Sequence, residues 1–209
     1  MKKKSEILIP EGLHDVLLHA CCAPCSSAIV EWMLQHDIRP TIFYFNPNIY
    51  PREEYEIRKN ESKRHAESLG IRWIDGDYDH EVWLQQVQGL ESEPERGSRC
   101  LQCFRMRLTA TALQAQQLGI QYFATTLASS RWKSLEQINQ AGLQAQEAVN
   151  AQLSTLNSKP SNLKPQISPI FWAQNWRKGG LQDRRNQLLR EYNFYNQQYC
   201  GCEFSMRTP

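Results

Sequence analysis

Asp15-Val16-Leu17-Leu18-His19-Ala20-Cys21-Cys22-Ala23-Pro24-Cys25-Ser26 is the stretch whose reading decides the fold. Its first half is a short and almost wholly apolar run, the pattern of a strand covered on both faces. Pro24 then stands where a helix would start, a position that tolerates proline because its missing N–H would have no partner there. From Ser26 to Gln35 the apolar residues Ala28, Ile29, Trp32 and Met33 recur at helical spacing. A strand followed at once by a helix, with three cysteines in the turn, is the first unit of an α/β chain.

The alternation continues outward. Further strands are expected over 40–45, 71–74, 120–125 and 167–171, and helices over 51–69, 79–90, 101–118, 134–153 and 181–192, with Gly70 and Gly119 closing two of them. Such an order implies an α/β fold, a Rossmann-like parallel sheet with helices on both faces. Ligands of these sheets bind beyond the carboxyl ends of the strands, where Cys21, Cys22, the run Asn46–Asn48 and the run Thr125–Ser130 all fall. The expectation is a single catalytic domain over 1–209, with the Ala/Gln/Asn/Ser-rich stretch 145–165 as a surface insertion.

With 41% hydrophobic residues in 209, the chain can bury a core without disulfide staples. No run approaches the ~18 apolar residues of a membrane span. Met1-Lys2-Lys3-Lys4 opens like the basic end of a signal peptide, and Leu18-His19-Ala20-Cys21 is faintly like a lipoprotein cleavage box. Glu6, Pro10, Glu11, Gly12, His14 and Asp15 leave no apolar region between them. The protein is therefore expected in the cytoplasm and off the membrane, where seven cysteines do not read as disulfides.

The cysteines fall into Cys21-Cys22-Ala23-Pro24-Cys25, Cys100-Leu101-Gln102-Cys103 and Cys200-Gly201-Cys202. Cys22 to Cys25 alone suits a redox-active dithiol at a helix N-terminus. A third adjacent thiol and two distant pairs favour metal instead. Zinc would use four thiolates and leave three over, whereas a cubane takes four, or three with an open iron, and seven could also hold a second ion. Ligand count and compartment rank iron–sulfur first, zinc second and dithiol chemistry third.

The net charge of +2 excludes nothing, but basic residues flank the cysteine segments: Arg52, Arg58, Lys59, Lys63 and Arg64; Arg96, Arg99, Arg105 and Arg107; Arg131 and Lys133; Arg177, Lys178, Arg184 and Arg185. Solvated helix faces account for most of them.

The run Leu17–Ser26 resembles the cobalamin-independent epoxyqueuosine reductases, as do Asn46-Pro47-Asn48-Ile49, Pro51, Glu54-Tyr55 and Arg58. The resemblance continues through Gly97–Phe104, Arg107-Leu108, Thr125-Thr126-Leu127, Ser130, Lys133 and Gln198–Cys202. It covers about residues 14 to 205 and departs at 145–165, longer than the family leads one to expect. It departs again at Arg131-Trp132, where a proline and an aromatic residue are expected. The resemblance implies reduction of epoxyqueuosine to queuosine at the wobble position of tRNA anticodons, and a fold like that of the adenine-nucleotide alpha hydrolases. It also implies a [4Fe–4S] cluster with an adjacent mononuclear ion, iron or zinc, held by Cys21, Cys22, Cys25, Cys100, Cys103, Cys200 and Cys202. Cys22 and Cys25 are then also catalytic.

The reaction consumes two electrons, which no side chain supplies, so an external low-potential donor is expected. Tyr50 and His19 are candidate proton donors, with a packed strand histidine the plain alternative for His19. Asn46, Asn48, Arg52, Arg58, Arg99, Arg105 and Lys133 are the expected substrate contacts, reading a splayed-out, single-stranded anticodon. An ion pair with Glu54 is the plain alternative for Arg58. A zinc-stabilised RNA-binding module, a thiol–disulfide oxidoreductase and an ATP-using tRNA-modifying enzyme are the rival classes. The last lacks its Ser-Gly-Gly type phosphate loop here.

Overall fold

The computed structural model describes residues 7–157 and 167–206. Its order is β1 (Asp15–His19), α1 (Ala23–Gln35), β2 (Arg39–Tyr44), α2 (Arg52–Ser68), β3 (Trp73–Asp75), α3 (His80–Gln86), α4 (Ser98–Leu118) and β4 (Tyr122–Thr125). A 3₁₀ turn (Thr126–Ser129), α5 (Leu135–Asn157), β5 (Ile170–Phe171), α6 (Leu181–Glu191) and a second 3₁₀ turn (Glu203–Ser205) complete it.

All pairings are parallel, in the order β3-β2-β1-β4-β5. The chain thus builds leftward from β1 and then jumps back across it to β4. Helix α1 packs on α2 and α6, while α4 packs on α5, as right-handed crossovers on the two sides of β1 require. Strand β1 is the centre, and Val16, Leu17 and Leu18 are wholly buried. His19 is level with Phe43 of β2 and Thr125 of β4. The loops after these three strands therefore open on one edge of the sheet, at its topological switch point.

Local chemistry moves some expected boundaries. Helix α4 starts at Ser98 rather than 101, because Glu93 Oε2 accepts from the Ser98 N–H at 3.0 Å and the Gly97 carbonyl accepts from Cys100 and Leu101. Cys100 therefore lies in the first helical turn. Helix α5 outruns its expected end, and Ala145, Val149 and Leu153 are buried along it. The first part of the supposed insertion is thus a packed helix, and residues 158–166 lie outside the described residues. A Cβ on Gly142 would sit 2.3 Å from the Phe171 ring, so α5 approaches β5 as only glycine permits. No helix among the described residues is long and apolar enough to cross a membrane.

His65 of α2 is buried edge-on to Tyr192 and Phe194, each at 5.1 Å, and so joins α2 to the chain after α6. Burial pushes its pKa down to about 4, with Arg64 adding to the effect. A histidine kept neutral in the fold contributes stability above its unfolded pKa of ~6.5, and that contribution is lost as the pH falls towards 4. Urea midpoints should show roughly 2 kcal/mol less stability at about pH 5 than at about pH 7 from this group. His65→Gln should remove that increment; an unchanged pH dependence would refute the assignment.

Candidate metal centre

Cys21, Cys22 and Cys25 are buried at the carboxyl end of β1 and the start of α1, with Pro24 in the helix's first turn. Their sulfurs lie within 4.8 Å of one another. Cys21 Sγ is 3.8 Å from Cys22 Sγ and 3.8 Å from the Thr126 hydroxyl, which β4 delivers from the other side of the switch point. Cys22 and Cys25 hold the Cys21 thiol well below the ordinary thiol range by hydrogen bonding to it, against the effect of its burial, with Lys133 and Arg107 assisting. Burial first, then the bond and charge of Cys21, raise Cys22. The hydrogen bond with Cys21 is the main cause that pushes Cys25 up to about 11. One proton leaves this trio readily and the others resist, which is how a site behaves that needs a cation to become fully anionic.

The other four cysteines form a second set. Cys103 and Cys202 pack with Trp83 and Val87. Burial raises Cys100 and pushes Cys202 up to about 11, and charge on Cys200 and Cys103 adds to both. Cys25, Cys100, Cys200 and Cys202 open together on a cavity of about 680 Å³. All seven thiols are free.

Buried cations surround this sulfur. Arg107 is 2% exposed and has no carboxylate partner among the described residues. Its guanidinium donates to Asn46 Oδ1 and reaches His19 Nε2 at 3.3 Å and Cys103 Sγ at 3.9 Å. A buried guanidinium without a carboxylate calls for another anion. Lys133 lines the cavity, and although burial alone would lower its pKa, the negative charge of Cys200, Cys21 and Cys25 prevails and raises it. The buried indole N–H of Trp83, packed with Cys103 and Cys202, has no acceptor among the described residues. Abundant thiol, opposing cations and an orphaned donor together fit a metal–sulfur centre with net negative charge.

The expected polar residues divide. Asn46 is buried, donates to the Ala20 carbonyl at 2.9 Å and fixes Arg107. Asn48 is buried with its Oδ1 unpartnered. His19 is wholly buried, its Nδ1 2.8 Å from the Thr125 hydroxyl, and burial together with Arg107 holds its pKa down to about 3. It is a packed, neutral histidine.

Several expected substrate contacts face protein instead. Arg58 is 1% exposed, paired to Glu54 at 2.6 Å, and donates to the carbonyls of Tyr199 and Cys200 at 3.3 Å. Arg99 is 2% exposed and spends its Nη1 on the carbonyls of Leu90, Glu91 and Glu93. Arg105 donates to Gln144 of α5 at 2.8 Å, away from the cavity lining. Arg52 is exposed beside Glu56 and the Tyr78 ring, also outside that lining. Tyr50 stacks on His80 at 5.3 Å and does not line the cavity either. Arg52, Arg58, Arg105 and Tyr50 lie outside the lining of this cavity, whereas Arg99 is on its wall. The cations that line the cavity are Arg96, Arg99, Arg131, Lys133, Arg177 and Arg185, and the buried Nε of Arg99 has no partner among the described residues.

Sequence reasoning missed Arg107 as a site residue. Its signal was the i, i+4 spacing from Cys103, which puts both on one helix face. Gln197, whose side chain donates to Cys25 Sγ at 3.7 Å, had no signal at all.

A family model described as epoxyqueuosine reductase QueH matches residues 16–208. The chain belongs to that family. Curated relatives bearing the same description are 40% identical over 206 residues in Acinetobacter baylyi (99% of this chain, 87% of the relative) and 40% over 204 residues in Haemophilus influenzae (98% and 76%). Among solved structures, the U34-tRNA thiolase NcsA of Methanococcus maripaludis, with its [4Fe–4S] cluster, aligns at a TM-score of 0.49 and 12% identity over 93% of this chain and 61% of the other.

The Glu54–Arg58 pair carries the Cys200 segment on its outer side. Arg58→Met should strand a buried carboxylate, cost about 3–5 kcal/mol, speed amide exchange across 195–206 and lower metal retention. Exchange at the wild-type rate there would show that the segment is held by something else.

Proposed function

We propose that this chain reduces epoxyqueuosine in the anticodon of tRNA to queuosine, as a single catalytic domain of a reducing, cytoplasmic compartment. Family membership supports the reaction. The observation that carries it here is the meeting of two cysteine sets on one cavity with a cationic wall. The balance is simple: the epoxide takes up two electrons and two protons, both C–O bonds break, a C=C bond forms and the oxygen leaves as water.

Cys21, Cys22, Cys25, Cys100, Cys103, Cys200 and Cys202 would hold an iron–sulfur cluster, which would pass on single electrons taken from an external low-potential donor. Seven thiols exceed the four of a cubane, and the surplus suits an adjacent mononuclear ion, iron or zinc.

The remaining work belongs to side chains. The cavity's 680 Å³ is of the size that encloses a small-molecule ligand, so it can take one nucleoside out of the anticodon stack. Arg107 and Lys133 oppose the negative charge of the sulfur and so favour the uptake of electrons at the site. Lys133 lies on the cavity wall, where the negative charge of Cys200, Cys21 and Cys25 favours its protonated form, so it serves as a fixed positive charge facing the sulfur. Asn46 positions Arg107 and so acts through it.

Protein purified without oxygen should contain near four or five irons and about four sulfides per chain, and should convert epoxyqueuosine tRNA to queuosine tRNA. Cys22→Ser and Cys103→Ser should each lose the visible chromophore and turnover together. Zinc alone without sulfide, or full activity in either variant, would refute the cluster assignment. Lys133→Met should lower metal retention and turnover together; unchanged iron content and rate would dismiss it as the counter-charge of the site.

A further inference from the structure

The loop Ser130–Ser134 separates two recesses. On one side lies the cysteine cavity, and on the other an open groove of about 540 Å³ between the start of α4 and the start of α5. Arg96, Arg131, Lys133 and Arg177 line both. Among the described residues none of the four pairs with a carboxylate, although Arg39, Arg52, Arg58 and Arg184 elsewhere all do. The acidic residues facing these recesses are Glu136 in the groove and Glu95 and Asp183 in the cavity.

Two of the cations build the loop. Arg96 donates to the carbonyls of Trp132 and Arg131 at 2.9 and 3.0 Å, and Arg177 to those of Ser130 and Lys133 at 2.5 and 2.7 Å. The loop is therefore clamped from both sides, but the clamping leaves unspent donors. Arg177 Nε is buried without a partner, and the Arg131 guanidinium makes no hydrogen bond among the described residues, lying 5.0 Å from the Trp132 ring. At the crest of this loop Trp132 is 60% exposed, more than any other tryptophan among the described residues. Four like charges around one loop repel each other, and the arrangement is relieved by an anion in the groove. An exposed aromatic ring on the wall of a nucleoside-sized cavity, flanked by cations that also line a groove, is the kind of platform that single-stranded nucleic acid uses.

We propose that the groove binds the phosphodiester backbone of the nucleotides next to the target nucleoside, and that Trp132 stacks on the neighbouring base while the target enters the cysteine cavity. This rests on the reading that the target is a nucleoside within tRNA. It assigns substrate positioning to Trp132, Arg131, Arg96 and Arg177, which join Lys133, the one expected substrate contact that lines this groove.

The test uses holoprotein prepared without oxygen and an anticodon stem-loop RNA with guanosine at the wobble position, so that binding is read without turnover. Trp132→Ala should weaken binding roughly tenfold, within the range of one lost base stack, and Trp132→Phe should restore most of it. Arg131→Ala should lower the slope of log affinity against log salt by about 0.7, the value for one phosphate contact on a single strand. In turnover of the epoxyqueuosine stem-loop, both alanine variants should raise KM by more than they lower kcat. Affinities within twofold of wild type and an unaltered salt slope would overturn the groove assignment, and would do so with the reductase reading intact if the wild-type protein still reduces its substrate. A wild-type protein that binds the guanosine stem-loop with these variant effects but reduces no epoxyqueuosine would instead support the groove and overturn the reductase reading.

Discussion

Sulfur gathered at one point must be opposed by positive charge, and most of the site's architecture follows from that. Three thiols at the end of β1 and four more beside them become mutually repulsive as they lose protons to a metal. Arg107 answers from beneath, held on a long helix by Asn46 and His19, and Lys133 answers from the cavity wall. A guanidinium buried this deeply would be destabilising if the sulfur were absent or neutral. The cations and the thiols therefore have to be understood as one unit, in which neither half is tolerable in the core alone.

The parallel sheet lends that unit its coordinates. Because β1, β2 and β4 end level, the cysteine turn, Asn46 and Thr126 arrive on one edge without any long loop reaching across. The remaining thiols come from the first turns of α4 and from the segment after α6. That last segment is carried in on Arg58, whose guanidinium grips two of its carbonyls, and on the Tyr195 hydroxyl, which donates to Glu54 at 2.7 Å. The Tyr50 N–H donates to the Gly201 carbonyl at 2.9 Å and fixes it from the other side.

Much of this was legible in the sequence. Apolar runs a few residues long, each followed by helical spacing, gave away the strand order's building blocks, and clustering in three short segments marked the cysteines as one centre. What stayed hidden was the direction of long cationic side chains. Arg58 and Arg99 look like ligands for phosphate in a linear reading. Arg58 instead pairs with Glu54, a partner its i, i+4 spacing does encode, and both arginines donate to backbone carbonyls, some on the adjacent turn and some more than a hundred residues away, which no local pattern encodes. Arg96 and Arg177 were among the noted basic residues, yet nothing in their immediate neighbours distinguished them from helix-face solvation. Helix α5 was misjudged at its end for a related reason. Its Ala/Gln/Asn composition reads as polar, but Ala145, Val149 and Leu153 recur every four residues and bury one face, a sparse stripe among polar neighbours.

The spread of the thiols along the chain also sets an order for the protein's birth. The trio at 21–25 leaves the ribosome early, whereas Cys202 emerges only after the whole sheet and α6 have been made. Until then a nascent chain carries three thiols with no complete site to receive them, exposed to oxidants and to adventitious metals. Loading with the correct metal is thus a late event by construction.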